Sequence, residues 1–188
     1  AEIQPTMYGL FFEDINYAAD GGLYAELVQN RDFEYSSQDH RNWNSQYAWS
    51  VKNGNAVFTI AEENPIHANN PHYAVLDIQQ PGASLVNTGF DGIAVKKGEK
   101  YDFSFFGKML QGKGGKVKVA LVNKEGKEIG QTIVKVTSAD WKKQKAVMLV
   151  TEDAADATLA VTPQTTGKYA FDMISLFPQN TFKGRKNG

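Results

Sequence analysis

The sequence predicts an all-β fold, and three observations carry this prediction. From about residue 46 onward, apolar and polar residues alternate with period two, which places alternate side chains on opposite faces of a strand. Turn-forming residues separate these segments at roughly 8–12-residue spacing. No long helical pattern lies between them. Together these features are typical of a β-sandwich or a β-barrel.

The candidate strands are rich in β-branched and aromatic residues, as strands generally are. In Lys100–Phe105 the rings of Tyr101, Phe103 and Phe105 fall on one face, which predicts that this face is buried. The other candidates are Trp49–Val51, Ala56–Phe58, His72–Ile78, Lys116–Leu121, Gln131–Val136, Ala146–Val150, Thr158–Val161 and Lys168–Phe177.

The turn between the first two candidate strands has a specific chemistry. Asn53-Gly54 lies between Trp49–Val51 and Ala56–Phe58. Asn-Gly is the strongest short signal for a two-residue hairpin turn, because both positions need a positive φ. The sequence therefore predicts that these two strands form a β-hairpin.

Length and composition exclude several classes of protein. The 188 residues fit one domain with a short appendage. The 21 acidic and 20 basic residues give a formal net charge of −1, which argues against a dedicated nucleic-acid binder. There is no cysteine, so disulfide scaffolds, thiolate zinc sites and thiol nucleophiles are excluded. No apolar run approaches the ~18–20 residues that a membrane span needs.

Among the acidic residues, Glu13 has a distinctive position. A glycosidase needs two carboxyl groups across a sugar ring, but a single sequence cannot pair its acids, and most of them are ordinary loop residues. Glu13 directly follows the apolar run Tyr8–Phe12, where the end of a buried strand would present it. There is no Gly-x-Ser-x-Gly elbow and no phosphate-binding loop.

A cluster of aromatic residues suggests a binding surface. Residues 42–49 interleave rings with amides, and residues 67–73 repeat this mixture. Sugars present C–H faces that pack on rings and hydroxyls that pair with amides, so the composition suits carbohydrate. An equally ordinary interpretation is that Trp43 and Trp49 are core residues of a sandwich. The predicted contacts are Trp43, Tyr47 and Trp49, followed by His72 and Tyr73.

Most of the chain resembles a carbohydrate-binding module of the family 4/9 type. The resemblance rests on the opening Asn30–Glu34, the segment Gly89–Val95 and the closing strand that carries Asp172. It implies a jelly-roll β-sandwich over residues 30–178. It also implies a structural Ca²⁺ held by Glu34 and Asp172 with backbone carbonyls, and Ca²⁺ does prefer such oxygen ligands. The alternative for Asp172 is a hydrogen bond to a loop, or exposure to solvent.

The two ends resemble another family. Tyr8–Asp14 and Gly21–Leu27 are similar to the start of α-L-arabinofuranosidases of glycoside hydrolase family 51, and Asn180–Gly188 is similar to the point where those enzymes resume. The resemblance implies that residues 1–29 are the first strand and loop of a truncated catalytic (β/α)₈ barrel and that 179–188 are a linker into it. It also implies that Glu13 touches the arabinofuranosyl group.

The same resemblance implies that this chain alone is inactive. The acid/base glutamate of those enzymes follows an asparagine, and this sequence contains no Asn-Glu pair. Both catalytic glutamates are therefore expected after Gly188.

The function that we expect is a non-catalytic carbohydrate-binding region of an α-L-arabinofuranosidase (EC 3.2.1.55), secreted, periplasmic or on a bacterial cell surface. Its partners would be arabinose-containing plant polysaccharide, such as arabinan or arabinoxylan, and the missing catalytic barrel. The alternative is a structural spacer of the same enzyme that binds no glycan.

Overall fold

The computed structural model describes residues 26–179, and all regular structure in this range is β. The eleven strands are β1 (Trp49–Lys52), β2 (Ala56–Ala61), β3 (Tyr73–Ile78), β4 (Ser84–Asn87), β5 (Ile93–Val95), β6 (Lys100–Gln111), β7 (Gly115–Val122), β8 (Glu128–Val136), β9 (Lys142–Leu149), β10 (Ala154–Pro163) and β11 (Gly167–Pro178). No helix within this range is long and apolar enough to cross a membrane.

The strands form two antiparallel sheets that pack face to face. The first sheet has the order β1-β4-β10-β7-β8, with β5 also paired to β10. The second has the order β2-β3-β11-β6-β9. The predicted all-β sandwich is therefore confirmed, although the observed strands extend beyond most of the predicted ones.

The predicted hairpin is wrong. β1 pairs with β4 and β2 pairs with β3, so the turn at Asn53-Gly54 crosses from one sheet to the other. Asn53 does adopt the positive φ of 66° that an Asn-Gly turn favours, and a Cβ on Gly54 would lie 3.0 Å from the backbone nitrogen of Ala83. The turn chemistry therefore specifies the local backbone, whereas the buried faces of the two strands decide their partners.

The core lies between the sheets and is built from the predicted alternation. Tyr101, Phe103 and Phe105 are all buried, as the period-two pattern of β6 predicts. Phe105 meets Phe171 of β11 with ring centroids 5.2 Å apart. Rings from two neighbouring strands therefore fill the centre of the second sheet's inner face.

The segment before β1 packs against the sandwich. The backbone nitrogen of Leu27 donates to the Leu176 carbonyl at 3.0 Å, and Ile174 donates to the Arg31 carbonyl at 3.0 Å. Phe33 is fully buried, 5.0 Å from the ring of Trp49. Glu26 and Leu27 thus contact β11 and Gln29 contacts Asn87 of β4, although the predicted boundary assigns these residues to the N-terminal segment. The three-part division of the chain stays a prediction, because residues 1–25 and 180–188 lie outside the described residues.

Candidate functional site

Four rings gather on the loop that precedes β1. The rings of Tyr35 and Trp43 stack with centroids 3.9 Å apart and an interplanar angle of 22°. Trp43 also meets His40 at 5.3 Å and Tyr47 at 6.2 Å, and Tyr35 meets Tyr47 at 6.0 Å. We call Tyr35, His40, Trp43 and Tyr47 the ring stack. Contacts of this kind stabilise the rings against one another beyond the area that they bury.

The buried side chain of Asn30 holds this loop in place. Its Nδ2 donates to the carbonyls of Ser45 and Tyr47 at 2.9 and 3.0 Å, and its Oδ1 accepts the backbone N–H of Tyr35 at 3.1 Å. Asn30 itself has a φ of 55°, which asparagine tolerates better than most residues. One amide therefore fixes both ends of the loop that carries the rings, so the ring stack is organised before any ligand arrives.

The ring stack is accessible from solvent. His40 is exposed, Tyr47 is 36% exposed and Trp43 is half-buried. The amide side chains of Asn42 and Asn44 beside the rings are also exposed. The site thus offers apolar ring surface next to hydrogen-bonding amides. This is the combination that a sugar, with its C–H faces and hydroxyls, can contact.

A second cluster joins the opening segment to β3 and β11. Glu34 Oε2 accepts the backbone N–H of His72 at 2.7 Å, and Glu34 Oε1 lies 2.6 Å from His72 Nδ1. Asp172 is only 1% exposed, and its Oδ1 accepts the backbone N–H of Met173 at 2.8 Å. Burial raises the pKa of Asp172 to about 8, and the negative charges of Asp32 and Glu34 act in the same direction. The structure therefore places the two predicted metal ligands close enough for the charge of Glu34 to act on Asp172.

The oxygen donors of this cluster suit Ca²⁺, although the carboxylates alone do not form a complete set of ligands. Asp172 and Glu34 supply hard oxygen donors, and a cation would relieve the cost of burying the Asp172 charge. Within residues 26–179, however, no three His, Cys, Asp or Glu side chains are grouped closely enough to hold a metal ion. Any site would need backbone carbonyls to complete it, as the resemblance implies.

Comparison with known proteins identifies the domain. The sequence profile of a family described as "Carbohydrate binding domain" matches residues 25–168. The chain belongs to this family. An extracellular exo-α-L-arabinofuranosidase of Streptomyces chartreusis is 39% identical to it over 189 residues, which cover 100% of this chain and 22% of that protein. A probable α-L-arabinofuranosidase A of Aspergillus terreus is 32% identical over 98% of this chain and 29% of that protein.

Solved structures agree with the sandwich fold of this carbohydrate-binding domain. An arabinose-bound α-L-arabinofuranosidase of family GH51 superposes with a TM-score of 0.75 and 30% identity, covering 97% of this chain and 31% of that one. A xylan-binding domain of Paenibacillus barcinonensis superposes with a TM-score of 0.59 and 14% identity over 86% of this chain and 97% of its own, which shows the fold alone. The chain spans only about a quarter of the length of its curated relatives.

Two of the predicted contacts are buried in this carbohydrate-binding domain. Trp49 is 6% exposed, and its Nε1 donates to the Asn30 carbonyl at 2.8 Å, so the core interpretation holds for this ring. Tyr73 is also buried, and its hydroxyl donates to the Glu63 carbonyl at 2.5 Å. A ring without an accessible face cannot form a platform for a ligand from solvent, so both predictions are corrected.

The other predicted contacts divide between two places. Trp43 and Tyr47 belong to the ring stack, whereas His72 is half-buried and is engaged by Glu34. Glu13 lies outside the described residues.

The outer face of the second sheet carries a cluster that the sequence analysis missed. Lys108 Nζ lies 4.6 Å from the centroid of the Trp141 ring and 5.5 Å from that of Tyr73, and it donates to the Asn64 carbonyl at 3.1 Å. Trp141 Nε1 donates to the same carbonyl at 2.9 Å. Burial lowers the pKa of Lys108. This cluster fixes the connection between β2 and β3 onto the sheet. The sequence feature that could have indicated this cluster is Lys108 itself, a lysine among the apolar residues of β6.

A half-buried carboxylate at the start of the described chain was also missed. Glu26 accepts hydrogen bonds from Ser175 Oγ at 2.5 Å and from the backbone N–H of Leu176 at 2.8 Å, and Arg31 Nε lies 3.3 Å away. Burial raises the pKa of Glu26, and Arg31 opposes this rise. The carboxylate ties the opening segment to β11 and is a structural link. No spacing in the sequence pairs residues that are 149 positions apart.

Proposed function

We propose that this domain binds arabinose-containing polysaccharide through the ring stack. The observation that carries the proposal is the exposure of Tyr47 and Trp43 on a loop whose conformation Asn30 already fixes. Fixing the loop in advance lowers the entropic cost of binding. Several rings and several amides on one short loop provide both a stacking surface and hydrogen-bonding partners for hydroxyls.

The choice of arabinose rests on the relatives. The Streptomyces and Aspergillus proteins are described as arabinofuranosidases, and the solved GH51 relative is described as arabinose-bound. The net charge of −1 gives no preference for a charged polymer. Arabinan and arabinoxylan are therefore the polysaccharides that we propose as ligands.

We further propose that the domain works inside a larger secreted enzyme. Its chain corresponds to about a quarter of each curated relative, and one of those relatives is described as extracellular. In this arrangement the domain retains the polysaccharide, while a catalytic barrel elsewhere in the same protein hydrolyses the arabinofuranosyl bond. The isolated 188-residue chain would then release no sugar.

A structural Ca²⁺ at Glu34 and Asp172 is a separate proposal. It is supported by the full burial of Asp172, by the raised pKa of its carboxyl and by the proximity of Glu34. A bound cation would supply positive charge beside these carboxylates. Its role would be to stabilise the joint between the opening segment and β11, not to contact the glycan.

Affinity electrophoresis of the folded chain tests the binding proposal. Migration through native gels containing arabinan or arabinoxylan is expected to be slower than through gels without polysaccharide, and Trp43→Ala is expected to restore normal mobility. Ile133→Ala is the matched control, because Ile133 is also exposed but lies on β8, at the edge of the first sheet opposite to β1. Unchanged mobility of the wild type over a broad glycan panel would contradict the proposal and favour the structural spacer.

A further inference from the structure

A tight turn at the same end of the β1–β4 pair as the ring-stack loop presents one more ring to solvent. Residues 88–92 connect β4 to β5, and Phe90 lies at the tip. Phe90 is 55% exposed, more than any other large apolar side chain in the described range. Single exposed apolar residues are common on protein surfaces, so exposure alone implies no role. Phe90 differs from an ordinary exposed residue because several contacts fix the turn that carries it.

The backbone of the turn adopts left-handed conformations and is fixed at several points. Gly89, Asp91 and Gly92 have φ values of 63°, 63° and 102°, and Asp91 adopts this conformation without being glycine. The backbone N–H of Gly92 donates to the Thr88 carbonyl at 2.8 Å, and that of Gly89 donates to the Asn87 side chain at 2.8 Å. Aspartate tolerates the left-handed region better than most non-glycine residues, so the residue types of this turn suit its backbone.

The two glycines allow a close approach that no other residue would permit. A Cβ on Gly89 would lie 2.6 Å from Ile93 Cγ1, and a Cβ on Gly92 would lie 2.8 Å from the Cα of Asp156. Asn87, which anchors Gly89, is fully buried and also donates to the Gln29 carbonyl at 2.9 Å. The turn is therefore held rigidly, and the ring that it carries contributes little to the core.

The turn that carries Phe90 and the loop that carries the ring stack lie at the same end of the β1–β4 pair. β1 and β4 are in register with Trp49 opposite Asn87, and the backbone N–H of Thr88 then donates to the Ala48 carbonyl at 3.2 Å. Tyr47 lies one residue beyond this last hydrogen bond on one side, and Phe90 lies two residues beyond it on the other. Two exposed rings, each on a loop held by a buried asparagine, therefore lie at the same end of the β1–β4 pair.

We propose that Phe90 is a second aromatic contact for a glycan chain, stacking on a sugar residue next to the one that the ring stack holds, with the Asp91 carboxylate accepting a sugar hydroxyl. This inference rests on the proposed function, because it extends the same surface. A ligand that spans both contacts is an oligosaccharide of several residues.

The surroundings of Phe90 favour a glycan over a protein partner. The other large apolar side chains exposed in the described range are Val57, Leu110, Ile133, Val147 and Leu149, which lie on strands of the two sheets, and Tyr47. A stable protein interface needs a broad patch, whereas one ring beside a carboxylate matches the size and polarity of a single sugar residue. The negative charge of exposed Asp91 also disfavours a phosphate-bearing polymer.

Isothermal titration of arabino-oligosaccharides of increasing length tests the inference. Phe90→Ala is expected to leave the affinity for the shortest ligand that binds unchanged and to lower the affinity for longer ones about tenfold, as the loss of one stacking contact would. Trp43→Ala is expected to lower the affinity at every length. Asp91→Asn tests the carboxylate separately, and Ile133→Ala is the control for removing an exposed apolar side chain. Thermal unfolding of Phe90→Ala should match that of the wild type, because the side chain is exposed.

The possible failures are distinguishable. If Phe90→Ala binds every length like the wild type while Trp43→Ala does not, the inference is wrong and the proposed function stands. If the wild type binds no length, the proposed function fails and the inference fails with it. If sedimentation shows that the wild type self-associates and that only Phe90→Ala abolishes this, with glycan affinity unchanged, the ring serves a protein contact and the inference is overturned.

Discussion

Glu34 holds His72 at two points, since one carboxylate oxygen accepts the backbone N–H at 2.7 Å and the other lies 2.6 Å from the ring Nδ1. The two residues are 38 positions apart, so this pair fastens the opening segment to the start of β3. Glu62 approaches the other ring nitrogen, Nε2, at 3.7 Å. Both ring nitrogens of His72 therefore face carboxylates, and Glu34 links two elements while its charge also acts on Asp172.

The first prediction concerns this pair. Glu34→Ala should lower the free energy of unfolding by about 1–3 kcal/mol, because it leaves the half-buried backbone N–H of His72 without its acceptor. Glu34→Gln should lose less, since its amide oxygen can still accept that hydrogen bond. Chemical denaturation in the presence of chelator measures both variants without a contribution from calcium. Equal stability of Glu34→Ala and the wild type would show that the pair does not fasten the segment.

The second prediction separates the two tryptophans. Trp49→Ala should destabilise the domain by about 3–5 kcal/mol, because it empties a site in the core and removes the donor to Asn30. Trp43→Ala should cost much less, because that ring packs on other rings at the surface. Urea denaturation with a common slope compares them. Similar losses in both variants would mean that Trp43 is a core residue and would remove the basis for a platform.

The third prediction is a pH dependence caused by Asp172. Its pKa is about 8 in the folded state against 3.8 for an ordinary aspartate, so the folded protein binds the proton more tightly than the unfolded chain. Stability should therefore fall as the pH rises from about 4 to about 8 and level off above that. Asp172→Asn removes the ionisation and should flatten this part of the profile. Melting temperatures measured in chelator over this range decide the matter, and identical slopes for the two proteins would contradict the assignment.

The fourth prediction concerns calcium. If Glu34 and Asp172 bind Ca²⁺, the ion favours the ionised form of Asp172 and competes with its proton. Added Ca²⁺ should raise the melting temperature more at pH 8 than at pH 5.5, and Asp172→Asn should abolish the response. A melting temperature that is the same in Ca²⁺ and in chelator at pH 8 would show that the site is absent.

The sequence predicted the sandwich because burial alternates along its strands, and Tyr101, Phe103 and Phe105 show this directly. It did not predict strand partners, since the Asn53-Gly54 turn fixes local φ values but not the sheet that each strand joins. Trp43 and Trp49 could not be separated either, because the same amide-rich segment contains both. Only the packing of Phe33 against Trp49 makes one of them a core residue.

Some charged residues inside the fold could be identified from the sequence, and others could not. Asp172 could be singled out because an acid among apolar strand residues requires an explanation, and the structure does bury it. The same reasoning applies to Lys108, which the sequence analysis passed over. Glu26 could not be found in this way, because its partners on β11 come from the opposite end of the chain.

Glycan binding by the ring stack is tested most directly by the affinity of the folded wild-type chain for arabinan or arabinoxylan, measured beside Trp43→Ala and Ile133→Ala. We expect retarded migration in polysaccharide gels for the wild type and Ile133→Ala, and normal migration for a folded Trp43→Ala. Binding that survives the loss of Trp43, or a folded wild type that no glycan retards, would contradict this expectation.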